Sequence, residues 1–268
     1  MPAAMAFNFQ RYLAAKRTVD DRALNRNVRE TLARAVLPKP DLRIIEVACG
    51  IGTMIPRLQG WGLLGEGAGY RGIDTDPTSI STAREAYGDP HVRFERADFC
   101  DWPAEPGCDL LVASAFLDLA DLDRALPHLH RYLKPGGLAY FPLNFDGLTV
   151  FEPAHPQDDA VMNAYHASMD ARPTGGSSRT GRRLFTALPE TGFEILAAGA
   201  SDWIVHPVPG GAYPADEAYF LRHILYFFEG SCTGVEGLEG WLAVRRRQVE
   251  AGELVYLAHQ VDFLAIAR

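Results

Sequence analysis

Apolar residues recur within residues 20–37, DDRALNRNVRETLARAVL, at Ala23, Leu24, Val28, Leu32 and Val36, with charge on the opposite face. That spacing predicts one amphipathic helix leading into a core. The period then changes: LRIIEVA (42–48) is a short unbroken apolar run of strand type, followed by a glycine-bearing turn and a helix ending near Gly60. GYRGIDTD (69–76) predicts a second strand ending on acidic residues, and Pro77 suits the first turn of the helix PTSISTAREAYG. HVRFERADF (91–99) and CDLLVASAF (108–116) read as the third and fourth strands. DLDRALPHLHRYLKPGG predicts a helix stopped by Pro135 and two glycines, feeding the strand LAYFPLNF. Strands alternating with helices imply parallel βαβ units, right-handed crossovers and an open twisted sheet, so the fold class is α/β.

From residue 147 the rhythm breaks. Residues 147–185 are rich in Pro, Gly, Arg and His, show no clear strand, and predict a helical insertion with a mobile basic loop. GFEILAAGA (192–200) restores a strand, and GELVYLAHQVDFLAIAR (252–268) closes the chain with a long one. The stretch between them, carrying YPADEAYFLRHILYFFEG, exceeds an ordinary sheet connection and predicts a second helical insertion.

Composition narrows the function. The 268 residues are 47% hydrophobic and 22% charged, enough to bury a substantial core. A net charge of −8 argues against a nucleic-acid partner, which needs a clustered basic surface; a small-molecule partner fits better. The sequence has no apolar run approaching the ~20 residues of a membrane helix. Its N-terminus lacks a basic start followed by an apolar segment, so the expected location is cytoplasmic, with no membrane partner. Cys49, Cys100, Cys108 and Cys232 have no C-x-x-C spacing, so no disulfide framework and no metal site are expected.

The turn EVACGIG (46–52) poses the functional question. A pyrophosphate-binding turn reads G-x-G-x-x-G, and the matching positions here are Ala48, Gly50 and Thr53. Read as acidic-x-x-x-Gly-x-Gly, the stretch instead supplies Glu46, Gly50 and Gly52. In an open parallel sheet ligands sit beyond the carboxyl ends of the strands, and polar residues fall there. Asp74, with Thr75 beside it, closes the second strand and can accept from ribose hydroxyls. Asp98 and Phe99 follow the third strand, where they can address an adenine amino group and ring; Ser114 ends the fourth. They describe an adenosine site without a cation near the glycine turn to neutralise phosphate.

EVACGIG, YRGIDTDP, RFERADFCDW and LHRYLKPGGLAYF, in this order and spacing, resemble the motifs of the class I S-adenosylmethionine-dependent methyltransferases over residues 42–145. The resemblance implies a Rossmann-like, mostly parallel seven-stranded sheet with helices on both faces, and S-adenosyl-L-methionine as cofactor. It implies that Ala48 and Gly50 approach the methionyl part, Asp74 binds ribose, Asp98 the adenine amino group, and Ser114 lines the methionine side. Ala48 stands where the family usually has its first glycine, which the loop tolerates if its φ is negative. Glu46 is expected to bond the glycine-loop backbone, and Arg17 to reach the cofactor carboxylate. The core is then 41–146 and 192–268, with a helical lid over 1–40 and cap insertions at 147–191 and 203–251.

Methyl transfer is an in-line displacement, so the insertions must hold an acceptor near the methyl group in a dry, oriented site. NAYHASMDARPTGGSSRTGRRLF concentrates arginine in an acidic chain, pointing to an anionic or amino-acid-like acceptor; Gly175, Gly176 and Gly181 bracket it like lid hinges. His166 ranks first as general base, with Tyr165 and Arg179 beside it on the acceptor side, whereas His223 and the mid-strand His259 rank below it. The expected activity is methylation of a small-molecule acceptor by a monomer or homodimer. A non-catalytic binding module for the cofactor and an NAD-dependent oxidoreductase on a similar sheet are the alternatives, the second weakened by the glycines missing at 48 and 53.

Overall fold

The computed structural model describes residues 7–36, 41–103 and 107–268. The helix predicted over 20–37 is two helices, α1 (Phe9–Ala23) and α2 (Arg26–Val36); Leu37, the last residue of that prediction, lies outside the described residues. The break has a chemical cause at Asn25. Its side-chain oxygen accepts from the Val28 N–H at 3.1 Å, an N-cap bond that starts α2, while its own N–H donates to Asp262 at 2.8 Å.

Next come β1 (Arg43–Val47), α3 (Met54–Gly60), β2 (Gly69–Asp74), α4 (Pro77–Tyr87), β3 (Val92–Arg96), β4 (Cys108–Ala113) and α5 (Leu122–His130). Pro77 opens α4, with Asp76 as its N-cap, accepting from the Ser79 N–H at 2.8 Å. α5 ends earlier than the glycine pair predicted: KPGG belongs to β5 (Leu133–Glu152), which pairs with β4 from Leu133.

β5 also corrects the boundary expected at 147. Beyond Phe141 it leaves β4 behind and continues, bulged, as an antiparallel partner of β8 (Val255–Ala267), pairing Asn144 with Val261 and Glu152 with Val255. Leu143, at φ 63°, forms the bulge; its N–H donates to Asp262 at 2.8 Å, and the Asn144 amide donates to Phe141 and Val261 carbonyls. Burial pushes the Asp262 carboxyl up to about 6. The basic stretch is ordered helix: α6 (Asp158–Asp170) and α7 (Thr180–Glu190) leave a short connection, and Arg182 and Arg183 lie within α7. Gly181 is a packing glycine and no hinge, since a Cβ there would come within 2.8 Å of Asp146. β6 (Phe193–Ala200), the three-residue β7 (Trp203–Val205), α8 (Glu217–Ser231) and α9 (Leu238–Ala251) precede β8.

The sheet order is β3-β2-β1-β4-β5-β8-β6, parallel up to β5, with β8 antiparallel to both of its neighbours. The short β7 pairs with β8 as an eighth strand. Strand order reverses between β1 and β4, which opens a crevice at their carboxyl ends. One core fills the face under α2, α3 and α4, and a second the face under α5 and α7. A third joins α1, α6, α8 and α9 to the β5–β8 extension, forming a cap with its own buried aromatics Phe151, Phe220, Phe228 and Trp241. Among the described residues no helix is long and apolar enough to cross a membrane.

Candidate active site

The glycine turn is held by the strand beside it. Cys49 donates its N–H to the Ile73 carbonyl at 3.0 Å, and Gly50 donates to Asp74 Oδ2 at 2.8 Å. The other oxygen of Asp74 accepts from the Asp76 N–H at 2.9 Å, so one carboxylate orients both the glycine turn and the entry to α4. Gly50 and Gly52 have φ of 53° and 79°. A Cβ on Gly52 would meet Tyr87 at 3.0 Å, and one on Gly50 would meet Leu13 at 3.1 Å, because α1 lies across the turn.

Ala48 departs from its expected geometry: its φ is +54°, in the left-handed region that penalises a Cβ. Ala48→Gly is therefore expected to stabilise the protein by about 0.5–1 kcal/mol, after the extra chain entropy of glycine is subtracted. A melting temperature raised by roughly 2 °C would bear this out, and a lower one would show that the Ala48 methyl packs usefully.

Glu46 is buried, and its hydrogen bond comes from the Tyr70 hydroxyl rather than from the glycine-loop backbone. Burial raises its carboxyl from 4.5 to about 8, so it is protonated at neutral pH. Because the folded value lies above the unfolded one, its contribution to stability is complete below pH 4.5 and is lost as pH rises through about 8. Glu46→Gln keeps a neutral, similarly shaped group. We expect near-normal stability at pH 7 and a flatter stability profile between those two values; an unchanged profile would show that Glu46 does not drive it.

The remaining cofactor-side residues lie along the same carboxyl edge. Asp98 is exposed and accepts from the Cys100 N–H at 2.9 Å, closing the turn after β3. Phe99 packs edge-on against Phe116, and its carbonyl accepts from the Tyr132 hydroxyl. Thr75 is exposed and Ser114 half-buried, the latter next to Ala115 at φ 50°. Arg17 is exposed and joins Asp21, Arg57 and Trp61 around a cleft of about 320 Å³ between α1 and α3, a turn beyond the Leu13 that covers Gly50.

On the cap side, His166 Nε2 lies 3.1 Å from Thr149 Oγ1, and burial lowers its pKa, helped by the charge of Arg179. Tyr165 stacks on Phe228 with centroids 4.0 Å apart. Arg179 sits at the start of α7 and, with Asp170, Ser177, Arg182 and Arg183, lines a groove of about 640 Å³. Arg182 is committed to Asp146, its Nε donating at 2.8 Å. His259 lies between Asp202 at 2.7 Å and Asp146 at 3.9 Å, and His223 stacks on Tyr12 inside the cap. Sequence patterns did not single out Asp118, on the short 3-10 turn Leu117–Leu119 after β4. Nor did they mark Asp20, which binds Lys16 at 2.9 Å and the Trp203 indole N–H at 2.9 Å. Their partners are remote in sequence or one helical turn away, so no local motif marks them.

The sheet order, with a carboxylate-clamped glycine turn at its switch point, bears out the Rossmann-like fold expected from the sequence. Residues 44–137, from β1 into β5, match the family described as the Methyltransferase domain. The chain thus carries a methyltransferase domain and is an S-adenosylmethionine-dependent methyltransferase. No curated protein matches the chain in sequence.

Solved structures share the fold at low identity. A methyltransferase from Thiobacillus denitrificans, in complex with S-adenosylhomocysteine, is 18% identical, with a TM-score of 0.55 over 97% of this chain and 98% of that one. Geranyl diphosphate C-methyltransferase from Streptomyces coelicolor is 15% identical, TM-score 0.51, over 90% and 76% of the two chains. Phosphoethanolamine N-methyltransferase 2 from Haemonchus contortus is 15% identical, TM-score 0.53, over 98% and 60%.

Proposed function

We propose that the protein methylates a small acceptor carrying an anionic group, enclosed between the carboxyl edge of the sheet and the cap. The observation that carries this reading is the cap itself: α1, α6, α8 and α9 share a hydrophobic core with the β5–β8 extension. Of these, α1 lies across the glycine turn through Leu13, which supports an acceptor small enough to be enclosed. The arginine-lined groove beside α7 supplies positive charge at the acceptor side. Two of the structural neighbours were solved with phosphorylated compounds, geranyl diphosphate and phosphomonomethylethanolamine, which is in keeping with an anionic acceptor.

In this reading Asp74 binds the ribose, Asp98 the adenine amino group, Ala48, Gly50 and Ser114 the methionyl part, and His166 is the general base that takes the proton the acceptor releases on methylation. The cofactor supplies an electrophilic methyl on a sulfonium. The chain's own work is to orient the acceptor and exclude water. In this reading α1 acts as the lid and α6, α8 and α9 as the cap to the core. Four free thiols suit a reducing cytoplasm.

Calorimetric titration with S-adenosylmethionine, S-adenosylhomocysteine and NAD tests the class. Binding of the sulfonium compound or its product, with none of NAD, is the expected result, and binding of NAD alone would overturn it. Arg179→Ala is expected to reduce acceptor turnover about tenfold while leaving cofactor affinity unchanged. Full turnover would remove Arg179 from the acceptor side.

A further inference from the structure

Among the described residues, two buried side-chain atoms on half-buried residues of opposite charge have no hydrogen-bond partner: Oδ1 of Asp118, just after β4, and Nη1 of Arg172, just after α6. The segments that carry them are pinned together. Ser177 donates its N–H to the Asp118 carbonyl at 3.1 Å, and Gly175 bridges to Ala120. Gly176 is packed so closely that a Cβ there would lie 2.6 Å from the Asp118 carbonyl oxygen and 3.4 Å from Arg172 Cδ. The two side chains are therefore held in one neighbourhood, and among the described residues they form no ion pair.

A buried charged group without partners is costly, and two opposite charges usually relieve the cost by pairing. Here each stays available. Burial raises the pKa of the Tyr12 and Tyr165 phenols, and the charge of Asp118 adds to both shifts. Among the described residues neither of these two hydroxyls has a hydrogen-bond partner. Asp118 itself lies five residues beyond Ala113, the carboxyl end of β4.

We propose that Asp118 and Arg172 form the two-ended anchor of the acceptor site, and that the acceptor is a small zwitterion, its ammonium on Asp118 and its carboxylate or phosphate on Arg172. The inference rests on the methyltransferase reading and adds the acceptor's class to it. Both ends of such a molecule satisfy an atom that is now unpartnered. A molecule with only one charged end would leave the other protein charge buried and unpaired, so the site selects against it.

The test is binding to the full chain saturated with S-adenosylhomocysteine. Probes are glycine, 4-aminobutyrate and O-phosphoethanolamine, with propylamine and butyrate as single-ended controls. At least one zwitterion is expected to bind ten or more times tighter than either control. Asp118→Asn and Arg172→Gln are each expected to lose that binding about tenfold or more while S-adenosylhomocysteine affinity stays unchanged, which also shows that the variants are folded. Should one variant fail to fold, the other and the probe preference of the natural protein decide. No preference for zwitterions, or variants that bind them normally, would overturn the proposal and leave a bridging water as the partner of both charges. Failure to bind S-adenosylhomocysteine would instead overturn the methyltransferase reading beneath it.

Discussion

Asp74→Ala is expected to weaken S-adenosylhomocysteine binding by about 10- to 100-fold with the fold intact, because it removes a charge-assisted interaction worth about 1.5–3 kcal/mol. Asp74 is proposed to accept from the ribose, and it also accepts from the N–H groups of Gly50 and Asp76 at 2.8 and 2.9 Å. The alanine variant therefore loses a ligand contact and frees the turn that faces the methionyl part. Asp74→Asn separates the two effects. Its amide oxygen can still accept from Gly50, but its NH₂ group would face the Asp76 N–H, and the charge is gone, so an intermediate loss is expected. Calorimetry on all three proteins checks this. Equal affinities would remove Asp74 from the cofactor site and show that α1, through Leu13 over Gly50, suffices to hold the turn.

The largest stability effect is expected at Asp20. This buried carboxylate on α1 accepts from Lys16 at 2.9 Å and Trp203 Nε1 at 2.9 Å, with Arg57 of α3 at 3.5 Å, thereby tying the lid helix to both the core and β7. Asp20→Ala leaves two buried cations and an indole N–H short of a partner. Loss of one member of a buried ion pair costs about 3–5 kcal/mol. Arg57 keeps Asp21 at 2.6 Å, so the lower end of that range applies. A melting temperature lowered by on the order of 10 °C follows, measurable by circular dichroism. An unchanged melting temperature would show that α1 is docked chiefly by its aromatic contacts, Tyr12 on His223 and on Phe220.

The βαβ alternation and the positions of β1 to β4 were legible in the sequence because each depends on neighbours within a few residues, although β3 and β4 stop at Arg96 and Ala113, short of the ends read for them. An apolar run makes a doubly covered strand, Pro77 opens a helix, and a carboxylate follows a strand end. The helix break at Asn25 was not legible, since it depends on Asp262 across the chain. Nor was the continuation of β5 past residue 146, which bulges at Gly147 and is then held by pairing of Thr149–Glu152 with β8. The same limit applied to the site. Asp74 stands in a local motif, but Ala48 gave no sign of its positive φ, which is imposed by the bonds of Cys49 to Ile73 and of Gly50 to Asp74.

By itself, then, the sequence determined the sheet class, the glycine turn, the acidic strand ends and the family they resemble, all properties of short segments whose physics is local. Only the tertiary structure decided which charges meet. It brought Asp118 and Arg172 together 54 positions apart in the sequence, set Asp20 among Lys16, Arg57 and Trp203, and turned the basic stretch into an ordered helix facing Asp146. Such meetings depend on how separate elements pack, and burial then fixes their energetic weight, neither of which is written in the spacing of residues along the chain.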